Sequence, residues 1–240
     1  MLTKSDFEHI RDYYLEPKNE WGSSRISRVL NEAEPKSNET MLDIGCGLGT
    51  FSFHASKLGV KAVGLDRDYS ALTRGIEAVK KIGTEPALRI KGDALNLPFC
   101  NESFNLIINA DFIEHLNDAD KSNVFREMLR VMKKDGRAVI YSPNVERIIW
   151  ELRGEKIKKV FGIRKAKIPL WQEYVDKDHF GMSSSSKIIQ MLKSVGFKIV
   201  HVKYYEFNVP IFSKIPGFNF LFQFLLNPIF ANRFLIKVTR

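Results

Sequence analysis

The sequence predicts an α/β domain, a parallel sheet covered by helices on both faces, and three observations carry that reading. Apolar runs of strand length alternate with stretches of helical periodicity from about residue 40 to residue 206. The first run breaks into three glycines spaced by one, Gly45, Gly47 and Gly49. A length of 240 residues, 44% apolar and 27% charged, suits one domain with a full core.

Each element follows from its local pattern. Residues 5–16 and 24–33 have helical spacing on either side of Pro17 and Gly22, and form a helical cap over residues 1–38. Met41 to Ile44 read as a buried strand (40–44), followed by a helix over 49–58 with Phe51, Phe53, Ala55 and Leu58. A second strand, 61–66, ends on Asp66, and a helix spans 69–82. Strands at 87–91 and 104–109, a helix at 118–132 and a strand at 136–142 continue the alternation. Residues 143–182 interrupt it with an insertion too long for a plain connection. Serines 183–186 cap a helix that runs to Val195, a strand follows at 197–206, and residues 233–238 read as a last strand.

The glycine turn is the first chemical signal. A strand that turns sharply into a helix gathers unpaired backbone N–H groups, and glycine lets a ligand approach the main chain without a Cβ in the way. The dinucleotide fingerprint needs G-x-G-x-x-G or Ala, then an acidic residue about 20 positions on. Here the third small position is Thr50, although Asp66 does follow at a similar distance and can take both hydroxyls of a ribose.

The run Asp43, Gly45, Cys46, Gly47, Gly49 with the later Gly64-Leu65-Asp66 resembles the class I S-adenosylmethionine-dependent methyltransferases, in particular the small-molecule branch that includes the ubiquinone and menaquinone enzymes. The likeness continues through Lys91-Gly92-Asp93-Ala94 and Leu97-Pro98-Phe99, the strand beginning at Ser103-Phe104, the turn from Met132 to Arg137, and Gly196-Phe197. These matches cover about residues 40–205 in order. The resemblance implies a Rossmann-like, doubly wound, mostly parallel seven-stranded sheet with its last strand antiparallel. It divides the chain into the cap (1–38), a cofactor-binding half (39–142), a helical insertion on the substrate side (143–182) and a C-terminal half (183–240).

It also implies the site. S-adenosylmethionine would be the cofactor and S-adenosylhomocysteine the product. Asp43, Gly45, Cys46 and Gly47 would line the methionine end, mainly through backbone; Asp66 would take the ribose hydroxyls, with Arg67 beside it; Asp93 would accept from the adenine amino group, with Ala94 offering an N–H; Asn109 would close the pocket. Two of these residues have a plainer alternative, Asp43 as a brace for the loop and Asp93 as a turn-former. His115, just beyond the fourth strand, and His179, at the end of the insertion, are the candidate catalytic bases. Arg25, Trp21 and Tyr14 can close the pocket from the cap, although no motif fixes them. Asp111, Glu114 and His115 offer three donors within five residues but no fourth, so no metal ligand set is assigned.

Composition narrows the partners. The net charge of +9 divides between residues 151–167 (net +5) and residues 207–240 (net +4), leaving the rest balanced. The second segment holds eight of the eighteen phenylalanines, and within its apolar stretch 210–230 the run from Phe218 to Asn227 reads as a helix on which Asn219, Gln223 and Asn227 make one narrow polar stripe. This favours a small hydrophobic acceptor, a lipid or prenylated quinol, with membrane-surface contact through 151–167 and 210–230. The bland account is packing within a monomer or a homodimer. Nucleic acid is the weaker partner, since no recognisable module is present, and an RNA methyltransferase or a non-catalytic cofactor-binding regulator are the alternative functions. Cys46 and Cys100 lack metal or secretory spacing, residues 1–6 lack a signal-peptide core, and no run reaches the ~18 apolar residues of a membrane span. The expectation is a cytoplasmic chain, peripheral at the membrane.

Overall fold

The computed structural model describes residues 2–150, 153, 180–207, 229 and 231–240. His179, the basic segment 151–167 apart from Arg153, and the apolar segment 210–230 apart from Ile229 lie outside the described residues.

Seven strands form one sheet in the order β3-β2-β1-β4-β5-β7-β6. They are β1 (Thr40–Ile44), β2 (Lys61–Asp66), β3 (Leu88–Lys91), β4 (Phe104–Ala110), β5 (Met132–Pro143), β6 (Lys198–Phe207) and β7 (Ala231–Thr239). Six run the same way, and β7 pairs antiparallel with both β5 and β6. The chain steps outward from β1 through β2 to β3, then returns to the other side of β1 with β4. The crevice between β1 and β4 is therefore the topological switch point, where open α/β sheets take ligands.

Helices cover both faces. On one, Ile26, Val29 and Ala33 of α2 (Glu20–Ala33) and Phe51 and Ala55 of α3 (Thr50–Lys57) pack on Met41, Leu106, Ile108, Val139, Tyr141 and Leu235. On the other, Val124, Phe125 and Met128 of α5 (Asp118–Val131) and Ile188 and Leu192 of α6 (Ser185–Val195) pack on Leu42, Ile44, Ile107, Ile140 and Ile236. A smaller cluster joins α1 (Lys4–Ile10) to α4 (Tyr69–Lys81) through Leu2, Ile10, Ala78 and Val79. Each fully buried aliphatic side chain contributes about 1.5–3 kcal/mol, which is what makes the alternating pattern decisive.

Three boundaries differ from the sequence reading by more than two residues. The first helix stops at Ile10 and residues Arg11–Leu15 wind as a π turn. The second begins four residues early, because the Asn19 side chain caps it by accepting the Gly22 N–H at 2.6 Å. The expected turn from Met132 to Arg137 is instead the start of β5: Met132 pairs with Phe104 and Arg137 with Leu106, so β5 carries three extra residues at a bulge.

Candidate functional site

The glycine turn is built as its residue types require. Gly45, Gly47 and Gly49 have φ of 69°, 51° and 79°, a region that L side chains enter only with strain. The Gly45 and Cys46 N–H groups both donate to Leu65 O, at 2.9 and 3.1 Å, which pins the turn to β2. At Gly45 an added Cβ would lie 2.3 Å from the Phe112 ring, so the loop and the segment after β4 are in direct contact. At Gly47 a Cβ would meet nothing within 4 Å. That combination, an open space beside a backbone needing positive φ, is a cradle rather than a packing constraint.

Two carboxylates hold the loop from opposite sides. Asp66, at the tip of β2, accepts the Gly47 N–H on Oδ2 at 2.7 Å and the Asp68 N–H on Oδ1 at 2.9 Å. A carboxylate has about four acceptor positions, so Asp66 keeps lone pairs for a diol. Asp43 is buried, and its Oδ2 accepts from the Ser52 N–H at 3.0 Å and the Ser52 hydroxyl at 2.7 Å. In the structure Asp43 therefore takes the bracing role, fixing α3 to β1; burial raises its pKa against the pull of Ser52 and Arg89. Arg89 shares this row of the sheet, since Asp43 pairs with Gly64 and Gly64 with Arg89. Its Nη2 donates to Gly49 O at 3.2 Å, and its Nη1 would lie 3.0 Å from a Cβ at Gly64. Cys46 is buried, and burial together with Asp43 and Asp66 pushes its thiol well above the usual range.

Further around the crevice, Asp93 is exposed and accepts the Leu95 N–H at 2.9 Å, the turn-forming role, with Ala94 buried behind it. Arg67 is exposed next to Asp66. Asn109, at the end of β4, is fully buried, and neither its Oδ1 nor its Nδ2 has a partner among the described residues. A buried amide with both ends unsatisfied is costly unless a ligand or water meets it.

Beyond β4 the chain turns at Asp111, which holds φ 53° and donates its N–H to Tyr141 O at 2.9 Å. Its carboxylate bridges two arginines that sequence reasoning did not pair: Arg25 of α2, whose Nε donates to Oδ2 at 2.5 Å, and Arg233 of β7, whose Nη1 donates to Oδ1. Burial would raise the Asp111 pKa, but the two guanidiniums outweigh it and hold the carboxyl low. Arg25 lies over the rings of Phe51 and Trp21, and Arg233 over those of Tyr141 and Trp21. Trp21 of the cap is half-exposed and lies under both guanidiniums. Next comes a 3-10 turn, Ile113–His115, whose His115 is half-buried. The neighbouring Glu114 is 1% exposed, accepts from Ser142 Oγ at 3.1 Å, and is pushed up to about 8 by burial and by Asp111. Among the described residues no group of three or more His, Cys, Asp or Glu is placed to hold a metal ion, and no helix is long and apolar enough to cross a membrane.

A family model described as a methyltransferase domain matches residues 35–196. The chain belongs to the methyltransferase-domain family. Norajmaline N-methyltransferase of Rauvolfia serpentina is 34% identical over 121 residues, 49% of this chain and 40% of that protein. Demethylmenaquinone methyltransferase of Thermobifida fusca is 28% identical over 120 residues, 50% of this chain and 48% of that protein. The chain thus matches about half the length, or less, of these curated relatives. In fold it is similar to a SAM dependent methyltransferase from Archaeoglobus fulgidus, with a TM-score of 0.66 and 19% identity over 98% of this chain and 99% of that one.

The residues present fit the methyltransferase cofactor. The Gly47 space admits a ligand, Asp66 retains acceptor capacity, and the orphaned Asn109 amide awaits a polar partner. What the sequence left unseen is the second half of the site, Arg233, Ser142 and the Asp111 clasp. Its members come from β4, β5, β7 and α2, and no local motif joins them.

Proposed function

We propose that this protein is an S-adenosylmethionine-dependent methyltransferase that transfers a methyl group to an oxygen or carbon of a small, hydrophobic acceptor. The observation that carries the reading is the Asp66 carboxylate hydrogen-bonded to Gly47 at the switch point, beside an open glycine cradle. The bound sulfonium supplies an activated methyl group. The chain's own task is then to hold nucleophile, carbon and sulfur in line, which can supply about 7–11 kcal/mol. The glycine turn and Asp66 fix one end of the cofactor, and Arg67, Asp93 and Ala94 border the adenine side. The turn from Asp111 to His115 borders the acceptor, and His115 in that turn and His179 farther along the chain are the candidate histidines for a proton transfer.

The acceptor class rests on two further supports. Relatives in the comparison include enzymes named for demethylmenaquinone and for ubiquinone biosynthesis. The positive charge and phenylalanines of this chain are concentrated in 151–167 and 207–240. Together they favour a prenylated quinol or lipid met at a membrane surface by a cytoplasmic, peripheral protein. Labelled S-adenosylmethionine offered with a panel of quinols and lipids tests the activity, and co-sedimentation with anionic liposomes tests the location. Calorimetry should show wild-type binding of S-adenosylmethionine weakened at least tenfold by Asp66→Ala. Unchanged affinity in that variant would sink the assignment.

A further inference from the structure

One buried ionisable group in the turn after β4 has no assigned role so far, the Glu114 carboxyl. Ser142 Oγ of β5 donates to its Oε2 at 3.1 Å, while Oε1 is buried with no hydrogen-bond partner among the described residues. The turn that carries it is fixed on three sides. Phe112 packs on Gly45, the Gly181 N–H donates to Glu114 O at 2.8 Å, and Asp111 is held between Arg25 and Arg233. A carboxyl oxygen with free lone pairs therefore stands at the carboxyl ends of β4 and β5, on a rigid turn in contact with the glycine loop.

Its charged surroundings come from four elements. Asp111 lies on the same segment, Arg233 reaches in from β7, Lys121 of α5 feels its charge, and Arg25 of α2 faces Asp111. Ser142 on β5 brings only a hydroxyl, and His115 is the next residue in the turn. Burial and the Asp111 charge favour the neutral acid, and they outweigh Arg233 and the hydrogen bonds.

We propose that Glu114 is the proton acceptor for a hydroxyl substrate, with the ionised Oε1 as the receiving atom; this rests on the methyltransferase reading above. The substrate oxygen bonds to the methyl carbon, the carbon–sulfur bond breaks with its electron pair left on sulfur, and the hydroxyl proton passes to Glu114 Oε1. Release of that proton to water resets the carboxylate. Ser142 occupies Oε2 and so leaves Oε1 as the working oxygen. Because a neutral carboxyl cannot accept, transfer must accelerate as pH rises through the Glu114 pKa of about 8. A histidine base would place that rise near about 6.5.

The test uses the full chain with S-adenosylmethionine and 2-methyl-1,4-naphthoquinol as hydroxyl probe, across about pH 5.5–9.5. Wild-type kcat should climb to a plateau with its midpoint near about 8. Glu114→Gln, which keeps the size of the side chain, should lose roughly 10²–10⁴-fold in kcat together with the pH dependence. His115→Asn should keep the midpoint. Infrared spectra of the protein alone should show a protonated-carboxyl band that fades with the same midpoint and is missing in Glu114→Gln. If the glutamine variant misfolds, Glu114→Asp should still shift both midpoints, and unmoved midpoints overturn the proposal. So do a pH dependence that survives Glu114→Gln, a band indifferent to that change, or cofactor binding with no transfer to the quinol. A wild type that binds no S-adenosylmethionine by calorimetry defeats the methyltransferase reading instead, whatever the infrared shows.

Discussion

Asp111 combines an electrostatic and a backbone role, and substitution can separate them. Its carboxylate accepts from Arg25 and Arg233, with side-chain exposures of 23% for Asp111 and 12% and 18% for the two arginines. Two opposite charges about 4 Å apart in a medium of effective dielectric ~20 attract by about 4 kcal/mol, and desolvation cancels much of that. Breaking a fully buried pair costs about 3–5 kcal/mol. Here the residual exposure and a fallback partner lower the figure, because Arg233 Nε also lies 3.8 Å from Glu206. Asp111→Asn, which tolerates φ 53° and still accepts one hydrogen bond, should therefore lose about 2–3 kcal/mol. Asp111→Ala should lose a further ~1 kcal/mol, since alanine must bear the left-handed backbone. Asp111→Gly should recover roughly that increment. The wild-type clasp should also respond to acid in a defined direction. Its folded pKa lies below the usual aspartate value, so its contribution is complete above about 4 and fades as pH falls through the folded pKa. Urea unfolding of the three variants at pH 7, and of the wild type down to about pH 3, measures all of this. Equal stability of Asp111→Asn and wild type, or of Asp111→Ala and Asp111→Asn, would refute the division into charge and backbone.

Other expectations follow from neighbouring residues. Glu114→Gln should stabilise the protein in alkali: a carboxyl raised from 4.5 to about 8 makes wild-type stability fall as pH rises through that window, by at most about 5 kcal/mol. The two proteins should melt alike near pH 4.5 and diverge by pH 9, and parallel curves would disprove the shift. Gly45→Ala should destabilise strongly, because its Cβ collides with the Phe112 ring; Gly47→Ala should cost only the strain of its φ, about 1–2 kcal/mol, while weakening S-adenosylmethionine binding more than tenfold. Thermal melts with and without cofactor separate these effects, and equal stability losses would contradict the cradle. Arg89→Met should loosen the glycine loop by removing the bond to Gly49 O, so hydrogen exchange at Gly49 and Thr50 should quicken; unchanged protection would show that Arg89 only fills space.

The two halves of the site differ in how they were legible, and the reason is sequence distance. The glycine turn reads from sequence because its constraints are local: positive φ at Gly45, Gly47 and Gly49, a strand before, a helix after, and Asp66 at the tip of the adjacent strand. The sheet reads for the same reason, since runs such as Met41-Leu42 with Ile44 and Ala62 to Leu65 are short apolar stretches of strand length, the pattern of parallel strands covered on both faces. The β5 bulge did not read, because Gly136 and the charges around it have the composition of a turn, and only pairing with Phe104 makes them strand. Nor did the contacts around the turn after β4. Asp111 and Arg233 are 122 residues apart, Asp111 and Arg25 are 86 apart, and Glu114 and Ser142 are 28 apart on different elements. Each is an ordinary charged or polar residue in its own stretch. Their meaning arises when the antiparallel β7 returns Arg233 beside Pro143, across the end of β5, and α2 swings Arg25 over Phe51. A carboxylate flanked by two arginines and a buried carboxyl beside it are thus properties of the topology, and the part proposed for Glu114 rests on the fold rather than on a motif.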